Sequence, residues 1–519
     1  MPLLTDVLRE RAQQSPDRIA FISGDQRVTY AEFDHRVDRA AAALRAAGVR
    51  HGDRIAILDK NSIEYVEQMF AAARLGAVQV PVNYRLSADE VAYIVDNAKA
   101  RVFLVGPEFV PLLDSIAGRL EHTEHLVVIG ATDHAYQDYA AWVGGHEAAA
   151  PVDADITSAD VFVQLYSSGT TGLPKGVMLT HDNFLAVLQL TTEIWTLDES
   201  SILMVAMPMY HIAGCALSVC VLFEGITGVI MREPDPGLVL EAIETHRVTH
   251  VFLVPVLLLF LPQMPQAQTA DLSSLQIMLY GASPISDEVL RGAMRLLPHT
   301  RFMQVYGLTE TTGAITLLPA EDHDPDGPNP HRLRSAGLPN PATEIKIVDP
   351  GTDEDLPTGQ VGEIMARTAQ NMLGYWSLTE ATAQTLLADG WLRTGDIGYL
   401  DEDGYLYIHD RVKDMIISGG ENIYPAEVEN VLMSHPLVTD CAVIGVPDQK
   451  WGETPKALVV VSGEPTEREL IDYCRERLAH FKCPTSVEQR DAIPRNPTGK
   501  VLKRELRASY WADEDRAVH

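Results

Sequence analysis

The chain has 519 residues, 46% of them hydrophobic, which is enough for several cores and for three or four domain-sized units. Its 72 acidic against 41 basic side chains set a formal charge of −31, so nucleic acid and anionic lipid surfaces are repelled and any anionic ligand must be met by local positive charge. The five cysteines, Cys215, Cys220, Cys441, Cys474 and Cys483, have no metal-ligand spacing and are odd in number, which argues against a zinc motif and a disulfide framework and fits a reducing cytoplasm. No basic region followed by an apolar core opens the chain, and the longest apolar run, 251–261, is too short to span a bilayer and contains Pro255, so neither a secretory signal nor a transmembrane segment is expected.

In chain order, Phe33, Val37, Ala40, Ala41 and Leu44 have helical spacing, with Thr29 and Glu32 placed as a capping box and Gly48 as the stop. A strand at 54–58, a helix at 63–75, a strand at 77–82, a helix capped by Ser87 and Glu90 and a strand at 102–105 follow, and such alternation predicts a parallel sheet with helical crossovers. From 121 to 158 the period fades, and connecting structure is expected. Strands at 203–207, 229–231, 250–254, 277–280 and 302–305 predict a second sheet. Residues 321–334 read as a long exposed loop, and 344–348 with 361–366 as a smaller, irregular sheet. After the charged run 410–414 a helix from Pro425, strands at 441–446 and 457–461 and a Thr466-capped helix are compact enough for a domain of their own. The expected fold class is α/β: a large domain, 1–411, of two mostly parallel sheets with a small β subdomain, and a small mobile α+β domain, 412–519.

Between the two predicted sheets, the apolar strand 161–165 runs into Tyr166-Ser167-Ser168-Gly169-Thr170-Thr171-Gly172-Leu173-Pro174-Lys175-Gly176. Glycines let the backbone turn its N–H groups onto an anion, the hydroxyls of Ser167, Ser168, Thr170 and Thr171 add donors, and Lys175 adds charge, so the stretch reads as a polyphosphate cradle. A Ser/Thr/Gly-rich surface turn is the plainer alternative. Pro174 stands where the common phosphate loop has its second glycine, so this is a different nucleotide loop. Tyr280-Gly281-Ala282-Ser283-Pro284 and Gln304-Val305-Tyr306-Gly307-Leu308-Thr309-Glu310 each follow a predicted strand, where open parallel sheets place ligands. Further stretches are Met207-Pro208-Met209-Tyr210-His211, Trp391-Leu392-Arg393-Thr394-Gly395-Asp396, Ser418-Gly419-Gly420-Glu421-Asn422 and Pro494-Arg495-Asn496-Pro497-Thr498-Gly499-Lys500. Taken alone, His211 beside apolar residues reads as structural, Asp396 as a turn residue and Lys500 as a solvent-facing lysine.

Together, and in this order from about Thr29 to Lys500, these stretches resemble the motifs of the adenylate-forming superfamily of acyl-CoA synthetases, peptide-synthetase adenylation domains and beetle luciferase, with fatty and aryl acyl-CoA synthetases the most similar. The resemblance implies an AMP-forming acid–thiol ligase: a carboxylic acid and ATP give acyl-AMP and pyrophosphate, and the acyl group then passes to the thiol of CoA. It implies that Gly281, Ala282, Ser283, Gln304, Tyr306 and Gly307 hold adenine, that Thr309 touches the α-phosphate, that Glu310 and Ser167 hold Mg²⁺, and that Asp396 and Arg411 hold the ribose. It makes His211 a gate, Lys413 a hinge, Gly419 and Gly420 the lining of the thiol tunnel, and Lys500 the catalytic lysine of the first half-reaction. Relatives that activate amino acids carry an aspartate where His211 stands, so an uncharged aliphatic or aryl tail is expected. Relatives often carry several basic side chains where this sequence has Phe481-Lys482-Cys483, which leaves an acyl carrier protein as the alternative thiol donor; a luciferase-like oxygenase is a third reading of the same fold.

Overall fold

The computed structural model describes residues 2–130, 134–148, 155–167, 173–283, 285, 287–411, 414–418, 421–448, 450–495 and 501–511. Strands that are apolar on both faces need cover on both faces, and Ile55, Ala56, Ile57 and Leu58 are fully buried in the middle of such a sheet. Among the described residues this sheet has eight strands, in the order Gly374–Tyr375, Lys175–Thr180, Val161–Ser167, Val78–Pro81, Arg54–Leu58, Ala100–Val105, His125–Val128 and Gln137–Asp138. Its first three strands pair antiparallel and the rest parallel.

The second sheet has nine strands among the described residues, ordered Leu338–Pro339, Gly313–Leu318, Arg301–Leu308, Ile277–Gly281, His250–Leu253, Ile202–Val205, Thr227–Ile230, Ile19–Ser23 and Gln26–Thr29. It is parallel from Arg301–Leu308 to Ile19–Ser23. One continuous apolar core joins both sheets, filled by the helices Tyr30–Ala46, Ile63–Ala73 and Ile212–Glu224. Both predicted capping boxes form: Glu32 N–H donates to Thr29 Oγ1 at 3.2 Å, and Glu90 N–H to Ser87 Oγ at 3.4 Å.

Three expectations change. Residues 121–158 are more than connecting structure, because His125–Val128 adds a strand to the first sheet and Tyr139–Gly144 a helix that buries Tyr139, Trp142 and Val143. These elements are too short for a period to show. The two N-terminal strands escaped sequence reading because the partner of Ile19–Ser23, Thr227–Ile230, lies some two hundred residues away. The stretch 321–334 is tethered by buried His323 and Leu333 and carries two 3-10 turns.

The strands Thr343–Val348, Gly362–Thr368, Leu392–Leu400 and Leu406–Arg411 form an antiparallel sheet. Next in the chain, Ile416–Ser418, Glu421–Ile423, Val438–Asp448, Gly452–Val461 and Ser486–Gln489 form the sheet of a small C-terminal domain, with the helices Pro425–Met433 and Glu467–Arg475 against one core and Lys503–Trp511 against another. No described helix is long and apolar enough to cross a membrane.

Candidate active site

Two strands that end side by side carry the centre of the site. Val161–Ser167 and Lys175–Thr180 pair antiparallel with Ser167 opposite Lys175, so the glycine-rich stretch is the connection of a hairpin. Ser168, Gly169, Thr170 and Thr171 lie outside the described residues. From the other sheet, Arg301–Leu308 ends in the 3-10 turn Thr309–Thr311, which presents Glu310. Ser167 Oγ donates to Glu310 Oε1 at 3.1 Å, a bond that ties the ends of the two sheets together.

Tyr375 completes this centre. Its two-residue strand pairs with Lys175–Thr180, and its hydroxyl donates to Glu310 Oε1 at 3.0 Å. Its ring lies 4.9 Å from Lys175 Nζ, a cation–π contact. Burial first, and the Glu310 charge second, push the Tyr375 phenol above its usual range, so it remains a donor at neutral pH. The Glu310 backbone carbonyl accepts from Met372 N–H at 2.8 Å, which fixes the turn. Two hydroxyls thus meet one carboxylate at the ends of both sheets, and the Lys175 ammonium lies on the ring of one of them.

The strands Ile277–Gly281 and Arg301–Leu308 are parallel neighbours, with Gly281 opposite Val305. A Cβ on Gly281 would run into the Val305 carbonyl, and one on Gly307 into the Gly313 carbonyl, so both positions bring backbone against backbone. Ala282 has φ +67°, a left-handed conformation uncommon for a residue with a side chain and a form of strain that clusters at functional sites. Beneath this turn Tyr280 Oη lies 2.9 Å from His323 Nε2, and His323 Nδ1 lies 2.8 Å from the Pro319 carbonyl. Ser283 and Gln304 lie on the same two segments. Tyr306 Oη donates to Asp396 Oδ2 at 2.8 Å, bringing the third sheet to the site; Asp396 is buried and pairs across its sheet with Arg411, whose side chain lies outside the description.

His211 precedes the helix Ile212–Glu224 at the end of a segment held by a residue the sequence did not single out. Buried Asn61 donates through Nδ2 to the Met207 carbonyl at 2.9 Å and accepts from Met209 N–H at 2.8 Å. Burial lowers the His211 imidazole to about 4, with a smaller push from the Arg85 charge, so it is neutral at pH 7. Among the described residues, His211 Nε2 and the Tyr210 hydroxyl are buried polar atoms without a partner, which a ligand's polar group would satisfy. Asn61 and Tyr375 are the two additions to the predicted site, and a buried side-chain amide bridging two backbone groups leaves no sequence signal.

In the small domain Lys413, Gly419, Gly420 and Lys500 lie outside the described residues. Their flanks are described. Ile416–Ser418 and Glu421–Ile423 pair antiparallel on either side of 419–420, and Arg495 pairs with Val501 on either side of 496–500. Lys482 Nζ is 2.8 Å from Glu427 Oε2, Arg475 is 3.2 Å from Asp472 Oδ1, and Arg477 stacks 3.6 Å over Tyr473. Lys482 and the two arginines on or just after the helix Glu467–Arg475 therefore each have a local partner.

Ser167, Glu310 and Tyr375 meet at the strand ends of a two-sheet α/β fold that carries a small C-terminal domain. Residues 8–376 match the model of the AMP-binding enzyme family and residues 427–500 that of the AMP-binding enzyme C-terminal domain. The chain belongs to the AMP-binding enzyme family, in the class of AMP-forming acid–thiol ligases. It is 39% identical to the fatty acid–[acyl-carrier-protein] ligase ScoC of Streptomyces coeruleorubidus over 98% of this chain and 96% of the relative. It is 40% identical to a feruloyl-CoA synthase of an Amycolatopsis species over 96% and 97%. Among solved structures, the anthranilate CoA ligase AuaEII in complex with anthranoyl-AMP superposes with a TM-score of 0.88 at 28% identity, covering 98% of each chain.

Proposed function

We propose that the protein activates a carboxylic acid with MgATP to an acyl-adenylate, releasing pyrophosphate, and then transfers the acyl group to the thiol of CoA. The observation that carries this reading is the contact of Ser167 and Tyr375 with Glu310 beside Lys175, at the seam of the two sheets, in a chain whose family binds AMP. The Glu310 carboxylate and the Ser167 hydroxyl form the hard-oxygen set that suits the Mg²⁺ of the nucleotide, and Lys175 with the 168–172 connection suits its phosphates. The Gly281–Ser283 turn and Gln304, Tyr306 and Gly307 provide the backbone-close walls for a flat base. Asp396 and Arg411 receive the ribose, and Thr309 the α-phosphate.

In the first half-reaction the acid's carboxylate oxygen attacks the α-phosphorus and the bond to pyrophosphate breaks; Lys500 and Thr309 offset charge on the phosphoryl oxygens. The small domain, 412–519, then turns about Lys413, withdraws Lys500 and brings Gly419 and Gly420 to the site, where the thiol attacks the acyl carbon and AMP leaves. A neutral His211 offers no counter-ion, so an acid with an uncharged aliphatic or aryl tail fits. The ATP-dependent release of pyrophosphate over a panel of aliphatic and aromatic acids tests this: acid-dependent release supports it, and none across the panel overturns it.

A carrier-protein phosphopantetheine is the second reading of the acceptor. It is favoured by the pairing of Lys482 with Glu427, which leaves little positive charge for the 3′-phosphate of CoA, and by the similarity to a carrier-protein ligase.

A further inference from the structure

We infer that Tyr375 is a positioning residue for the proposed Mg²⁺ ligand Glu310, acting through its hydroxyl on the carboxylate rather than touching substrate. This rests on the reading of Glu310 above.

Glu310 sits on a short 3-10 turn, and a free carboxylate there would sample several rotamers. Two neutral donors restrict it. Ser167 Oγ reaches Oε1 from the first sheet at 3.1 Å and Tyr375 Oη reaches the same oxygen at 3.0 Å, so neither engages Oε2. Both bonds converge from the glycine-rich hairpin's sheet onto a carboxylate of the other sheet, which sets the direction in which the second oxygen points.

Tyr375 is itself held on several sides. It is 7% exposed, its strand is hydrogen-bonded to Lys175–Thr180, its N–H donates to Thr382 Oγ1 at 2.9 Å, and the next residue's N–H donates to the Gly176 carbonyl at 2.7 Å. That next residue, Trp376, is clamped in turn: its ring lies 3.6 Å under the Arg54 guanidinium and its Nε1–H donates to the Asn97 carbonyl at 3.0 Å. The phenol therefore stands on a rigid support, as a group that orients a metal ligand must. The donors are neutral, so they orient the carboxylate without neutralising the charge a cation needs.

The test compares the wild type with Tyr375→Phe, which keeps the ring and the Lys175 contact and removes only the donor. Binding of a non-hydrolysable ATP analogue is measured by calorimetry across a Mg²⁺ titration, and thioester formation from supplied acyl-adenylate is measured alongside. Loss of a bond that orients a metal ligand typically costs about 10- to 100-fold in metal affinity or activity. The half-saturating Mg²⁺ concentration is expected to rise about tenfold in Tyr375→Phe, with analogue binding restored at saturating Mg²⁺ and the thiol step unchanged. An unchanged Mg²⁺ titration overturns the positioning role whatever the overall rate does, and so does a binding loss that excess Mg²⁺ does not restore. If the wild type fails to bind the analogue at all, the nucleotide reading of the site falls and the Tyr375 assignment falls with it.

Discussion

The side of the site proposed for the nucleotide and the side proposed for the acceptor are built differently. On the nucleotide side, Ser167, Glu310, Tyr375, Tyr306 and Asp396 come from three sheets and are joined by hydrogen bonds of 2.8 to 3.1 Å, so their geometry is part of the core architecture. On the acceptor side, Lys482, Arg475 and Arg477 belong to one small domain and are engaged by carboxylates or rings of that same domain. A site shared by several sheets can be fixed once for one substrate, whereas a small domain that carries its own charge balance can turn as a unit without exposing unpaired charge. That contrast is what the proposed turn of the small domain requires.

The largest expected effect separates the two sides by half-reaction. Lys500→Ala is expected to slow adenylate formation about 10²- to 10³-fold, the cost of one positioned transition-state stabiliser, while thioester formation from supplied acyl-adenylate stays near normal. Rapid-quench measurement of each half-reaction checks this, and equal loss in both would remove Lys500 from its assigned role.

Lys413→Pro is expected to invert that pattern, because fixing φ at the hinge obstructs the turn of the small domain and leaves the adenylation arrangement able to react. Thioester formation should fall about tenfold or more while pyrophosphate release in a single turnover is retained. A normal thiol step in this variant would place the hinge elsewhere.

A third prediction concerns stability in the large domain. Burial lowers His181, His211 and His323 each to about 4, so the unfolded chain binds protons that the folded chain does not between about pH 6.5 and 4. Stability is therefore full above that window and falls with acidification, by at most about 1.4 kcal/mol per pH unit for each histidine. Asp59, raised to about 6 by burial against the opposing pull of Arg232, binds its proton in the folded state first and works the other way between about pH 6 and 4. Burial also lowers His246, His250 and His409 and raises Glu67, so six histidines stand against two carboxylates in this domain and leave a net loss, seen as a falling melting temperature from pH 7 to pH 5. His181→Gln should flatten that slope, and an unaltered slope would show that His181 is not buried neutral.

The smallest expected effect sharpens the acceptor side. Glu427→Gln frees Lys482 from a partly exposed pair worth up to about 1 kcal/mol, so the KM for CoA should fall by no more than about fivefold if Lys482 meets the 3′-phosphate. An unchanged KM for CoA together with turnover of a holo-carrier protein would shift the acceptor to the carrier.

The same contrast explains what the sequence could convey. The glycine-rich stretch after strand 161–165 and the two glycine turns stood out because glycines and hydroxyls fall in short, ordered stretches at strand ends. The strand Lys175–Thr180 that makes the first a hairpin was not read, since it shows only by pairing with Val161–Ser167, and Asp396 was singled out by the resemblance alone. Both capping boxes were legible because they are local. Tyr375 was not, since its two-residue strand gains meaning only by pairing with Val177, and Asn61 was not, since its partners are backbone atoms some 150 residues away. The pairing of Lys482 with Glu427, across 55 residues, likewise depends on the small domain's packing. Local chemistry is written in order along the chain, and long-range pairing is not.

The central claim is tested most directly by a single turnover of enzyme, ATP and acid without any thiol, with pyrophosphate, AMP species and acyl-adenylate followed by mass spectrometry. The account predicts acid-dependent release of about one pyrophosphate per enzyme, an enzyme-held acyl-adenylate, and its conversion to a thioester and AMP when CoA is added. Formation of ADP and phosphate, or nucleotide cleavage indifferent to the acid, would contradict it.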